Sequence, residues 1–160
     1  MELFNKNKEI LIHSPLKGTI VDLKDTPDEV FTSNIIGEGL AINPSQGDIH
    51  APVSSKVEIF KTNHLLIFEP KKGVYIVIHF GVGTSALKGE GFRRLPKGNL
   101  KEVKVGDDLV LCNLDFLKEH AKSLITPVIV SNDNVENIEL LVSPGDLVDL
   151  GTPLMKVRVK

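Results

Sequence analysis

The chain has 160 residues, enough for one domain with a sizeable core. Its 19 Lys and Arg residues and 21 Asp and Glu residues leave a net charge of −2 at pH 7, which gives no electrostatic case for nucleic acid or an anionic membrane as partner. No apolar run nears the roughly 20 residues that cross a bilayer, no signal peptide is visible at the N-terminus, and the one cysteine, Cys112, excludes an internal disulfide or a thiolate metal cluster. A reducing, cytoplasmic setting is the expectation.

Residues 1–11 are polar and are expected to fray as a short N-terminal extension. No low-complexity linker follows, so 12–160 reads as a single domain. Short β-branched runs recur along it: Gly18–Val21, Leu40–Ile42, Lys56–Phe60, Leu65–Phe68, Val74–Phe80, Leu109–Leu111, Thr126–Val130, Glu139–Val142 and Leu154–Val159. Turn residues punctuate these runs, which predicts an all-β fold, an antiparallel sandwich or barrel with few short helices. Ser14-Pro15, Ala51-Pro52 and Thr126-Pro127 each pair a small residue with a proline, and all three are expected at strand starts, where a missing amide donor does least harm. Val105-Gly106-Asp107 echoes Pro144-Gly145-Asp146 and hints at a duplicated β unit. One helix is predicted over Leu114–Ser123, capped by Asn113, and one short helical turn over Asp28–Phe31. Cys112, in an apolar run, reads as an inert core thiol.

The most informative segment runs from Thr62 to Gly81. Two apolar β-prone stretches flank Glu69-Pro70-Lys71-Lys72-Gly73, the pattern of a strand, a tight turn and a second strand. With Lys71-Lys72 at the tip, Phe68 faces Tyr75, Leu66 faces Val77 and His64 faces His79. Directly opposed side chains have Cβ atoms about 4.5–5.5 Å apart, close enough for two imidazoles to act on one small group. A one-residue slip would break that pairing.

A neutral imidazole is a good nucleophile near pH 7. One ring can accept a phosphoryl group while a second donates an N–H to its oxygens. Thr62, two residues before His64, could fix that ring's tautomer through its hydroxyl. The Gly81 carbonyl could hold Nδ1–H of His79 and leave the lone pair on Nε2. Two other readings stay open on these residues: ordinary, partly buried strand histidines, or a metal site. Catalytic zinc takes three protein ligands, and no His-x-His or His-Glu-x-x-His supplies a third, short of a ligand borrowed from a bound partner.

Lys88-Gly89-Glu90-Gly91-Phe92 is glycine-rich but lacks the Gly-Lys-Ser/Thr of a phosphate-binding loop, so it reads as a turn needing positive φ. Asp22, Asp25, Asp28, Glu29 and Glu38 bracket Val30, Phe31, Ile35 and Ile36, either core residues beneath a solvated loop or an apolar docking patch rimmed by carboxylates. His13, His50 and His120 have no comparable neighbours and read as surface or satisfied structural histidines.

The residues resemble the glucose-type enzyme IIA domain of the bacterial phosphoenolpyruvate-dependent sugar phosphotransferase system, over roughly Ile12 to Lys160. The resemblance is carried by Ser14-Pro15-Leu16-Lys17-Gly18, Pro27-Asp28-Glu29-Val30-Phe31, Thr62-Asn63-His64, His79-Phe80-Gly81, Lys88-Gly89-Glu90-Gly91-Phe92, Lys104-Val105-Gly106-Asp107 and Thr126-Pro127-Val128. It implies an antiparallel β-sandwich or barrel with few helices, in which His79 is phosphorylated on Nε2 and His64, with Thr62, supports the transfer. The donor it implies is the phosphohistidine of HPr, and the acceptor a cysteine on the IIB domain of a sugar permease. Asp28, Val30, Phe31, Ile35, Ile36, Phe60 and Gly81 would then meet the partners. No cofactor is implied, no metal is obligatory, and His64 and His79 would be adventitious zinc ligands at most. Two positions depart from the family pattern: Gly83 stands where an acidic residue is common, and Glu29 where an apolar one is usual. A LytM-type zinc endopeptidase and a lipoyl- or biotinyl-type barrel are the alternatives. The first lacks its second histidine pair, and the second lacks a carrier-lysine motif around Lys71 and Lys72.

Overall fold

The structure is a computed structural model that describes residues 8–27, 37–131 and 133–160. In chain order its strands are β1 (Glu9–His13), β2 (Gly18–Val21), β3 (Glu38–Pro44), β4 (Asp48–His50) and β5 (Ser55–Ile59). Then follow β6 (Leu65–Lys71), β7 (Val74–His79), β8 (Phe92–Arg94), β9 (Glu102–Val103) and β10 (Asp108–Cys112). A single α-helix among the described residues, α1 (Leu114–His120), precedes β11 (Thr126–Val130), β12 (Val135–Leu140), β13 (Leu147–Val148) and β14 (Pro153–Val159).

Among the described residues every strand pairing is antiparallel. The strands form an eight-stranded sheet, β13-β2-β3-β11-β7-β6-β5-β9, and two three-stranded sheets, β1-β14-β12 and β4-β10-β8. The expected all-β antiparallel class is therefore observed. Alternation sets the inward rows: Leu66 and Phe68 of β6 and Ile76 and Ile78 of β7 are fully buried, while Ile67, Val77 and His79 on the opposite face are only partly so. Leu66, Phe68, Ile76 and Ile78 join Ile12, Leu16, Ile42, Ile49, Leu109 and Leu117 in one main core. Each such side chain contributes about 1.5–3 kcal/mol by leaving water. β11 is buried at all five positions because β3 and β7 flank it and a second small cluster, Leu23, Ala41 and Ile129, covers its other face.

Residues 9–11, expected to fray, instead form most of β1: Glu9 pairs with Arg158 and Ile10 with Val157. The apolar Ile10 and Ile12 alternate into the core, and the strand that holds them lies at the far end of the chain. The predicted helix is present, three residues shorter, with Asn113 accepting from the Phe116 amide at 3.1 Å. The turn expected over Asp28–Phe31 lies outside the described residues.

Candidate functional site

The hairpin of β6 and β7 builds the site, with a corrected register. Its tip is Lys72-Gly73, where Gly73 has φ +80°, and a bulge lies just before it, between Phe68 and Lys71. The displaced tip and the extra residue together set the pairing, so Leu65 faces His79 and Phe68 faces Ile76. His64 is thus not directly opposite His79: its carbonyl accepts the Phe80 amide at 2.7 Å. The two rings nevertheless meet, with centroids 4.9 Å apart and planes at 80°. They converge at a corner where both chains bend sharply, at Asn63 (φ +62°) and Gly81 (φ +71°).

Thr62 stands on the turn before β6, not on a strand face as expected. Its Oγ1 still reaches Nδ1 of His64, at 2.5 Å. Nδ1 of His79 donates to the Gly81 carbonyl at 2.8 Å. A carbonyl only accepts, so that ring carries its proton on Nδ1 and its lone pair on Nε2. His64 is 6% exposed, and burial, aided by the neighbouring His79, lowers its pKa to about 4. The ring is therefore neutral at physiological pH.

Supporting groups that the sequence did not single out as site residues complete the corner. Phe92 of β8 lies 6.5 Å from the His64 ring and packs edge-on against Phe80 at 5.8 Å. The Gly81 amide donates to Thr126 Oγ1 at 3.1 Å, Thr126 donates to the Leu124 carbonyl at 2.9 Å, and Thr84 donates to the Phe80 carbonyl at 2.6 Å. Thr84 and Thr126 are fully buried. Their signal in the sequence is thin: a threonine near a histidine is commonplace until the loop's path is known.

Phe60, at the end of β5, is 42% exposed beside this corner. Gly81 is buried, and in this structure its carbonyl and amide both serve the molecule's own loop. Asp28, Val30, Phe31, Ile35 and Ile36, and Glu29 with them, lie outside the described residues. Among the described residues no three His, Cys, Asp or Glu side chains gather, so zinc between His64 and His79 would draw on another molecule for further ligands. Cys112 is buried, and desolvation pushes its thiol pKa up, as an inert core cysteine requires. His120 stacks on Phe116 at 4.1 Å and bonds its carbonyl at 2.8 Å. His13 is not fully satisfied: its Nδ1 is buried without a hydrogen-bond partner among the described residues.

An antiparallel β-sandwich carrying two converging imidazoles defines an all-β domain of the paired-histidine type. The family model of the phosphoenolpyruvate-dependent sugar phosphotransferase system, EIIA 1, matches residues 10–136. The chain is 43% identical over 137 residues to the PTS system glucose-specific EIIA component of Buchnera aphidicola subsp. Acyrthosiphon pisum, covering 85% of this chain and 83% of that one. It is 39% identical over 141 residues to the component of the same name from Borreliella burgdorferi, covering 87% and 74%. The structure superposes on the glucose permease IIA from Mycoplasma capricolum with a TM-score of 0.84 and 36% identity, over 94% of this chain and 97% of that one. The chain belongs to the EIIA 1 family of the sugar phosphotransferase system. It is a phosphocarrier component of that system, and the endopeptidase and lipoyl alternatives find no support in these matches.

Proposed function

We propose that Nε2 of His79 accepts a phosphoryl group from the phosphohistidine of HPr and passes it to the cysteine of a IIB domain, coupling to sugar uptake. The N–P bond in HPr breaks as one forms at His79 Nε2, and the proton stays on Nδ1 of His79, donated to the Gly81 carbonyl. His64 stands beside this centre as a neutral ring. With the Thr62 hydroxyl donating to its Nδ1, its proton sits on Nε2 and can bond the phosphoryl oxygens as charge builds there. The observation that carries this reading is the convergence of the two rings at 4.9 Å, each with its Nδ1 engaged by a different partner.

Docking between apolar surfaces would exclude the water that wastes a phosphoryl group. Exposed Phe60 offers one such contact. By family resemblance Asp28, Val30, Phe31, Ile35, Ile36 and Gly81 supply the rest. Neither nucleotide nor metal enters the transfer. Residues 12–160, with the strand from Glu9, act as one EIIA domain, and its partners set its place in the cytoplasm. No described helix is long and apolar enough to cross a membrane.

The test is incubation with phosphoenolpyruvate, enzyme I and HPr, followed by mapping of the modified residue. Label is expected on His79 and lost in His79→Ala with the fold intact. Acid-labile label retained on His79→Ala would overturn the assignment. In His64→Ala, His79 should still be labelled, but more slowly, and wild-type kinetics there would remove His64 from the mechanism.

A further inference from the structure

The turn between β5 and β6 carries Thr62, Asn63 and His64, and it is held from outside the hairpin by one side chain. Arg94, the last residue of β8, donates Nε–H to Asn63 Oδ1 at 2.8 Å. Its Nη2 donates to the carbonyls of Ile59 at 3.1 Å and Phe60 at 2.7 Å. The Phe60 carbonyl also accepts the Asn63 amide at 2.7 Å, so both its lone pairs are used in closing this turn. Asn63, with φ +62°, is the residue that reverses the chain between Thr62 and His64. Asparagine enters the left-handed region more readily than other side-chain-bearing residues, and here the Arg94 bonds hold the turn built on it.

We propose that Arg94 is a positioning residue for the His64 half of the site: its guanidinium fixes the 59–63 turn that sets the Thr62 hydroxyl against the His64 ring. The same strand serves twice, since Phe92, two residues earlier, walls that ring. The three acceptors suit a guanidinium, whose donors lie in a rigid plane. A lysine ammonium is a compact point charge that cannot match three fixed directions. Arg94 touches no reacting atom in this scheme. It acts through the turn, and the proposal rests on the phosphotransfer reading above.

Two measurements on the full chain test it. The first is 15N NMR of the His64 ring, its tautomer and titration, in the unphosphorylated protein alone. The second is the single-turnover rate of phosphoryl transfer from phospho-HPr. Arg94→Lys is expected to slow transfer about tenfold, comparable to losing one well-placed hydrogen bond. It should also move the His64 titration upward by a pH unit or more and leave His79 as the labelled residue. A folded Arg94→Lys with wild-type rate and wild-type His64 titration overturns the proposal, even if it melts earlier. Should Arg94→Lys not fold, Asn63→Gly decides: glycine takes the same φ without strain and removes only the Oδ1 acceptor. A slower transfer and a shifted His64 titration support the clamp, whereas wild-type values for both refute it. If the wild-type protein takes no label from HPr, the phosphotransfer reading fails, and the NMR measurement alone still decides whether Arg94 sets the ring.

Discussion

Thr62 Oγ1 and His64 Nδ1 lie 2.5 Å apart across a turn, and in the proposed transfer the hydroxyl donates to that nitrogen and keeps the ring's proton on Nε2. Replacing Thr62 with Ala leaves the His64 proton without a preferred nitrogen. Transfer from phospho-HPr should fall about tenfold, the equivalent of one net hydrogen bond. Thr62→Ser, which keeps the hydroxyl, should stay within about threefold of wild type. Rapid-quench kinetics on the three proteins check this, and equal rates for Ala and Thr would refute it.

His64 also makes stability depend on pH. Its pKa is lowered in the folded state to about 4 by burial and, second, by His79, while in the unfolded chain it titrates near 6.5. Below pH 6.5 the unfolded state takes up a proton that the folded state refuses, so stability is lost as the pH falls from about 6.5 towards 4. The loss from this ring is about 2 kcal/mol after allowing for solvent near the corner. Urea unfolding of wild type and His64→Gln at pH 7.5, 5.5 and 4.5 measures it, since the variant should lack this part of the slope.

Gly81 has φ +71°, and a Cβ there would stand 2.8 Å from the Ser123 carbonyl oxygen and 2.9 Å from Thr84 Cγ2. Gly81→Ala therefore meets both a left-handed penalty of about 1–2 kcal/mol and a steric one. Melting should drop by roughly 5 °C. Because the Gly81 carbonyl holds His79 Nδ1, phosphorylation should slow more than the loss of stability explains. A slowdown that vanishes once rates are corrected for the folded fraction would count against that link.

Cys112 is buried with its pKa raised chiefly by desolvation, so the reactive thiolate is scarce. Iodoacetamide should leave the native protein unmodified under conditions that label it fully in urea. Cys112→Ala should transfer phosphate at the wild-type rate and lose about 1 kcal/mol of stability. Rapid labelling of the native thiol would show that β10 opens more readily than its packing indicates.

Local signals in the sequence were sufficient where neighbours in the chain are neighbours in space. The runs at Gly18–Val21 and Thr126–Val130 coincide with β2 and β11, and Asn113 caps its helix as its side chain dictates. The two Gly-Asp echoes are the same turn: Asp107 accepts the Lys104 amide and Asp146 the Ser143 amide, at 2.9 and 2.8 Å. Legibility failed where distant chain decides. β1 and β8 are too short or too flanked by charge to announce themselves, and their partners are β14 and β10. Of the three proline pairs, only Thr126-Pro127 opens a strand, and Pro15 and Pro52 fall in connections. The histidine pair is legible in the sequence, but the geometry that joins the rings is not. The tip at Lys72-Gly73 and the bulge behind it together leave the register one residue from that expected, and the bends at Asn63 and Gly81 bring the rings together.

The placement of β14 bears on how the molecule is assembled. It is the middle member of its sheet, joining β1 on one side to β12 on the other. During synthesis both outer strands leave the ribosome before the one that bridges them exists. Ile10 and Ile12 of β1 must therefore wait, unpaired, until β14 emerges, which puts closure of this sheet late in folding and leaves the intermediate open to mispairing.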